Sequence, residues 1–574
     1  MGASRTEARL MCAMGLSHAS PIVFESCEAI PFGGVMLLLP FLLECGLMSY
    51  SNHYHQRTSG YYNFDNLLII IAFIYLCRIK SFEQIKHYPP GEFGKLVGYD
   101  RIPEVKKLRG MTGEITAQQC AEKWAASLAQ RWIEKEEPSL YYIDGHVKVY
   151  HGYLARLGRK HVSRQRLCLP GVMEFWVNAS DGSPYFYITA DVNEKMNEML
   201  KDEIIPELLT LHPVSDEHRQ RMEENEKEPL FTLVFDREAY SPEFFIHLWD
   251  KYRIAVITYR KNVKVKWDES LFEEYTVSTT FGAETMKLHE QNFYSGKNDK
   301  YCLREIRRLC TDGHQTSIVS TNQILIIEEI ASYMFARWSQ EIFFRYMRQE
   351  YALDKIIQYS VDELEHDIKV VNVEYNNLSY RIKKEREKLK RRKADLYELE
   401  QKNTLQQDDE KENKKMMKEK LAVIESIQLI ERQIADLIEW RKKIPYKIPL
   451  SQMPESTRYN QLNRESKMLQ NIIKMICYRA ETALANLLSP HFNRANQEIR
   501  ALIKSVILSR SNMEVDNKNQ VLTITLFPLS NQRSNEAVGN ICEQINATNT
   551  VYPGTNLRLF FKITTIRFDP SQES

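Results

Sequence analysis

No CxxC pair occurs among the ten cysteines of this 574-residue chain, and their spacing is irregular. That absence argues against a structural zinc or a disulfide framework and leaves a reducing, cytosolic compartment as the default. A surplus of one charge is missing too, since 77 Lys and Arg stand against 76 Asp and Glu. Affinity for a polyanion would therefore have to come from local patches. Nor is there an unbroken apolar stretch of the roughly 20 residues that a spanning helix needs. The two main apolar runs, residues 32–48 and 67–77, are shorter, and the first is interrupted by Pro40 and Glu44. It follows the acidic Glu25 and Glu28, not a basic n-region, and lacks a convincing cleavage site. Both runs are expected to be buried helices, and no membrane contact is expected.

What is present changes texture along the chain. The length exceeds one ordinary core, so two to four domains are expected. Residues 1–30 show no period and read as a leader. Residues 31–137 read as a helical, DNA-binding domain. Within them, residues 78–110 carry eight Lys and Arg against four Asp and Glu, broken by Pro-Pro and Gly turns. Short helices with basic flanks fit DNA docking of the helix-turn-helix type, and equally a solvated helical face. Residues 138–360 are α/β, with strands expected at 140–144, 172–177, 185–189, 231–235 and 254–258. Helices are expected at 193–209 and 242–252, a β insertion at about 265–322, and a long helix from near Gln323. Three strands ahead of the first helix match a ribonuclease-H-like mixed sheet. In residues 361–445, Leu378, Ile382, Leu389 and Leu396, then Ile427, Ile430, Ile434 and Leu437, keep 4–3 spacing on either side of a polar connector. That is the pattern of an antiparallel coiled-coil hairpin, expected to be a protein–protein or DNA-bridging arm. Its basic run at 381–393 reads first as a solvated face. Residues 446–574 close the chain with helices and a small α+β strand–helix–strand unit.

Three carboxylates stand out within the α/β part. An apolar run, Leu140 to Ile143, delivers Asp144, and no acid follows from Gly145 to Met173 while Lys148, Arg156, Arg159, Lys160, Arg164 and Arg166 accumulate. A second run stops at Asp236, where Ser241, Pro242 and Glu243 supply a cap, a first-turn proline and a dipole-favourable acid for a new helix. Taken singly, an aspartate at a strand end is usually a turn or cap residue. The third candidate is Glu341, which on a helix shares a face with Arg337, Arg345 and Arg348. That arrangement is also what a set of surface ion pairs would produce. Glu328, Glu329 and Glu350 are rivals without such a run of cations. His146 and His151 lie near the first motif and read chiefly as packing or surface residues.

The ordered set YYIDGHVKVYHG, LVFDREAYS and RWSQEIFFRYMRQE resembles the insertion-sequence DDE transposases of the retroviral-integrase superfamily. It is most similar to the subgroup with a Tyr–Arg–Glu–Lys signature and a β insertion before the glutamate helix. The separations, 92 residues from Asp144 to Asp236 and 105 from Asp236 to Glu341, leave room for that insertion. The resemblance implies that Asp144, Asp236 and Glu341 are catalytic and bind two Mg²⁺ ions about 3.5–4 Å apart, with Mn²⁺ an acceptable substitute. Asp144 would bridge both ions. Arg337 would match the signature arginine and Arg348 would replace its lysine, while Tyr333 stands one residue too far from the arginine. Arg337, Arg345, Arg348, Lys148, Arg159 and Lys160 would contact DNA. The implied partners are double-stranded transposon ends and target DNA, with a homodimer or higher homo-oligomer assembling on them in a prokaryotic nucleoid. Two alternatives keep their place: a nuclease without strand transfer, and an inactive or domesticated DNA-binding scaffold. An aspartate-based phosphatase is discounted because His146 stands where its second aspartate belongs.

Overall fold

The apolar run at residues 67–77 folds as helix α1 (Phe64–Leu76), buried from Asn66 to Leu76. Asn63 opens it, its side chain accepting from the Asn66 amide and so satisfying one free N–H of the first turn. This computed structural model describes residues 5–54, 60–152, 157–162, 165–263, 265–279, 282–295, 301–354, 361–362, 369–405, 410–449, 452, 461–462, 464–491 and 496–564. The run at 32–48 divides into a 3₁₀ turn (Gly33–Leu38) and a short helix (Leu39–Glu44), with Pro40 in the helix's first turn, where its missing N–H costs nothing. Among the described residues no helix is long and apolar enough to cross a membrane. Helices α2 (Val105–Thr116) and α3 (Ala121–Glu136) follow.

One ten-stranded mixed sheet organises the middle of the chain. Its strands are β2 (Leu140–Val149), β3 (Arg159–Val162), β4 (Leu167–Asn178), β5 (Pro184–Asp191), β6 (Phe231–Phe235) and β7 (Ile254–Tyr259), then β8 (Glu273–Thr279), β9 (Gly282–Ser295), β10 (Tyr301–Leu309) and β11 (Gln315–Ser320). Here β1 is a separate strand (Cys27–Ile30). The order runs β3, β4, β2, β6, β7, β11, β10, β9, β8, with β5 also pairing β4. Strand β4 is antiparallel to both β2 and β5, while β2, β6 and β7 run parallel. Every residue of β6 is buried, as a central parallel strand covered on both faces requires. The β6–β7 crossover is helix α4 (Pro242–Tyr252), with Ser241 accepting from the Phe244 amide as its cap. Strands β8 to β11 form an antiparallel meander that joins the parallel part through β11 and β7.

The long helix expected after Gln323 is two: α5 (Ile327–Ala336) and α6 (Trp338–Tyr351), broken at Arg337. Next, α7 (Val373–Leu405) and α8 (Glu410–Lys443) pack as a hairpin whose seam includes Leu378, Ile382 and Leu437. Helix α9 (Arg464–Leu488) is buried along most of its length and packs against α1, α3 and the Leu39–Glu44 helix. After α10 (Asn496–Ile507) come β12 (Ser511–Asp516), β13 (Val521–Leu526), α11 (Gln532–Asn546) and β14 (Arg558–Ile563). Their sheet has the order β1, β12, β13, β14. Residues 27–30, which show no period in the sequence, are thus the edge strand of a sheet made by the far end of the chain. The main hydrophobic core runs from Phe24 to Phe561 and includes side chains of the first helices, the mixed sheet and α9. A separate cluster of Tyr142, Val234, Ile257, Ile318, Ile330 and Met334 joins the sheet to α5.

Candidate active site

Register places the first two carboxylates side by side. Ile143 of β2 pairs with Phe235 of β6, so Asp144 and Asp236 are the next residues on adjacent parallel strands. Phe235 in turn pairs with Thr258, which puts Tyr259 at the end of β7 next in the row. Neighbouring strands lie about 4.8 Å apart, so the row is compact. Local apolar sequence makes the strands, and the acids come where those runs stop. The Asp236 side chain accepts from the Arg237 amide at 2.7 Å, and Asp144 accepts from the Gly145 amide at 2.9 Å.

Helix α6 brings the third acid across this row. Its first turn is locked to the sheet by Gln340, fully buried, whose amide donates to Asn178 Oδ1 at 2.8 Å and to the Trp176 carbonyl at 3.2 Å. Ser339 donates to the Ser180 carbonyl at 2.9 Å. Gly182 makes that turn possible: its φ is +87°, and a Cβ there would lie 2.9 Å from the Ser339 carbonyl oxygen. Glu341 follows these anchors directly. Arg337, at the helix break, sits among all three acids, with Glu341 at 2.8 Å and Asp144 at 4.0 Å.

The electrostatics of the cluster are those of crowded anions around one cation. Burial pushes the Asp144 carboxyl up to about 7; Arg337 and the Gly145 amide pull it down, while Asp236 and Glu341 push it further up. Burial works against the Arg337 charge, yet Asp144, Asp236 and Glu341 together hold its pKa above the usual arginine value. Burial raises Tyr259 as well, and it lies in the field of Arg337, Asp236 and Glu341. As the side chains stand, no three His, Cys, Asp or Glu groups among the described residues gather closely enough to hold a metal. The donor chemistry nonetheless fits a hard divalent cation: three carboxylates, and a guanidinium already drawn in as their counter-charge.

A cleft of about 840 Å³ opens beside the cluster, lined among others by Gly145, Lys160, Glu238, Glu284, Arg308, Phe335, Trp338, Glu341, Arg345 and Arg348. Of the cations expected at DNA, Lys160, Arg345 and Arg348 therefore line one cleft with Glu341, and Arg337 lies behind them. Arg159 is exposed at the start of β3 and donates to the Cys168 carbonyl at 3.3 Å. Lys148 does not belong to this surface. It is fully buried, 2.6 Å from Glu174, because β2 carries it toward α9, where Lys467 also reaches Glu174 at 3.0 Å. Arg156 and Arg164 lie outside the described residues.

Other candidates find different employment. His146 is buried, stacked on Phe344 with ring centres 4.7 Å apart, and paired with Asp354 at 2.5 Å. His151 is exposed. Glu329 caps α5 through the Ile326 amide, and Glu350 pairs with Arg78 at 3.3 Å and Lys504 at 3.0 Å. Arg78, from the basic stretch expected to dock DNA, is buried against Glu481 at 2.6 Å. Tyr333 contributes its carbonyl, which accepts from the Tyr142 hydroxyl at 3.0 Å. No sequence signal marks Tyr259, whose place follows from strand register, or Arg308 and Glu284, which reach the cleft because the meander packs on α5. Trp338, expected as apolar helix surface, is exposed at the cleft.

A family described as Transposase protein matches residues 1–565. No curated protein matches. Among solved structures, the chain is similar to one titled as the piggyBac transposase synaptic complex with hairpin DNA, at 11% identity over 62% of this chain and 71% of that one. The TM-score is 0.24, too low to establish a common fold.

Proposed function

Since the chain belongs to this transposase family, matched from residue 1 to residue 565, we propose that it is a DDE transposase that cuts DNA at transposon ends and transfers the strand to a target. The observation that carries the reading is the convergence of Asp144 and Asp236, at consecutive ends of adjacent parallel strands, with Glu341 of α6 across Arg337. The strand order β5, β4, β2, β6, β7, antiparallel then parallel, supports a ribonuclease-H-like catalytic sheet with β8 to β11 as its insertion. Asp144, Asp236 and Glu341 would hold Mg²⁺. When bound, such ions polarise the phosphate, favour an attacking oxygen and stabilise the leaving one.

This chain's own residues have four tasks. Asp144, whose carboxyl is raised to about 7 by burial and two like charges, would be favoured as the ionised ligand were a divalent cation held there. Arg337 balances the acids, holding one oxygen of Glu341 at 2.8 Å. Lys160, Arg308, Arg345 and Arg348 present charge to the phosphodiester backbone along the cleft. Gln340 holds α6 at the distance the row of aspartates requires. Assembly as a homodimer or larger oligomer on DNA belongs to the same proposal.

Asp144→Asn, Asp236→Asn and Glu341→Gln should each abolish Mg²⁺-dependent cleavage of element-end DNA and leave DNA binding in place. Cleavage that survives any one of them removes that residue from the site. A labelled-end assay separates joining from plain hydrolysis, hence transposase from nuclease. A second reading, a DNA-binding scaffold without catalysis, is favoured by the Arg337–Glu341 pair; it expects binding with no metal-dependent cutting by the wild-type chain.

A further inference from the structure

The hairpin of α7 and α8 has two unlike sides. Leu378 and Ile382 face α8 and are buried. At about 100° per residue, Lys383, Lys384, Lys390 and Arg391 lie on the far side of α7. All four are exposed and make no ion pair among the described residues, and Glu387 is the one acid among them. Their neighbours are neutralised locally: Lys388 by Glu385 at 2.6 Å, Arg392 by Asp395 at 3.1 Å and Lys393 by Glu431 at 2.8 Å. Residues 381–393 hold nine Lys and Arg against two Glu in a chain whose net charge is +1. Such crowding does not help the helix, because like charges at i,i+3 and i,i+4 repel. A polyanion laid along this face would relieve the repulsion.

The foot of the hairpin lies at the same sheet edge as the cleft. Two short strands there, Lys369–Val371 and Lys447–Pro449, pair antiparallel. Lys447 pairs with Glu194 at 3.0 Å and the Tyr446 hydroxyl donates to the Asn193 carbonyl at 3.2 Å, just past the end of β5. Asp191, the last residue of β5, lies in the fields of both Lys447 from the foot and Lys160 from the cleft wall. The arm is therefore rooted beside the sheet edge that also carries Lys160 of the cleft.

We infer that the outer face of α7 is a second, sequence-independent contact for duplex DNA, gripping backbone phosphates beyond the cleft. The four cations span about 12 Å of helix axis, which suits successive phosphates better than one small anion. The inference rests on the reading that DNA is the substrate, and it assigns to the hairpin a role in holding that substrate.

The test is binding of the full chain to a fluorescein-labelled duplex of arbitrary sequence, about 30 base pairs long, followed by anisotropy from about 50 to 200 mM salt. The variant combines Lys383→Gln, Lys384→Gln, Lys390→Gln and Arg391→Gln. Its plot of log K against log salt should be shallower by about four, with affinity at the low-salt end down by well over tenfold. The three lysines changed to Arg should retain the wild-type slope, and a control with Arg219, Lys227, Lys251 and Lys518 changed to Gln should match wild type. Circular dichroism of the Gln variant identifies any loss that comes from unfolding, in which case Lys390→Gln and Arg391→Gln made singly decide. Each is expected to lower the slope by about one, and an unchanged slope in both overturns the inference. An unchanged slope and affinity overturns the inference. So does a change of sedimenting mass with the slope unchanged, which would assign the face to a second copy of the chain. Wild-type chain that binds no duplex defeats this inference and the transposase reading together, whereas unchanged binding by a variant that still cleaves defeats only the inference.

Discussion

At Asp144 a carboxylate is kept where its charge is unwelcome. Its carboxyl stands at about 7, against an ordinary value near 4, because burial and two neighbouring acids outweigh Arg337 and one amide. The native state therefore binds this proton more tightly than the unfolded chain does, and stability falls as pH rises from about 4 to about 7. Asp144→Asn should raise the melting temperature above pH 7, with the gain shrinking toward about pH 4. Equal melting curves at high pH would mean that the site does not strain its acid. For the same reason Mg²⁺ should protect the wild type against melting more strongly at about pH 8 than at about pH 6, and the Asn variant should lose that difference. Asp-Gly after an apolar run was readable as a candidate, since strand ends are visible as breaks in hydropathy. The cation beside it was readable only as a helix neighbour of Glu341.

Among elements, α6 decides whether there is a site. The arginines and Glu341 suggested one helical face, but the chain breaks at Arg337 and turns its guanidinium back onto the acids. Nothing in the periodicity marks that break. What holds it is Gln340, which satisfies one side chain and a sheet carbonyl from beneath. Gln340→Ala would remove the donor that Asn178 Oδ1 has in this buried turn, at a cost of about 1–3 kcal/mol. It should also slow cleavage more than it weakens DNA binding, since Glu341 would lose its anchor. Cleavage and binding reduced alike would reassign Gln340 to general stability. The seam of the hairpin was legible because a 4–3 repeat can be satisfied by one neighbouring helix, and that neighbour is the next in the chain.

Over the whole molecule, stretches that look serial in the sequence are interleaved. Helix α9 enters the core beside helices from near the start of the chain, and β1 completes a sheet built by the other end. Two buried charge networks fasten these long-range contacts. Lys148 and Lys467 meet at Glu174, which they hold ionised at about 2, and Arg78 and Arg500 meet at Glu481. Glu174→Gln would leave two lysines facing each other without a counter-ion, a loss of about 3–5 kcal/mol. Its melting curve should shift as one cooperative step; a second transition would mean that α9 and the mixed sheet unfold separately.

The spacing of apolar residues was enough to locate the central strands, the α4 crossover and the two helices of the hairpin, because each element is patterned within a few turns of chain. The pairing of β2 with β6, by contrast, joins segments far apart in sequence. Spacing was enough as well to nominate three acids, since each lies where a local pattern ends or a helix gathers cations. Which lysines meet solvent was beyond it: Lys148 is interior only because Glu174 and Lys467, 26 and 319 residues onward, close over it. Burial and ion pairing are settled by partners distant in sequence, and those are brought together only by the folded core.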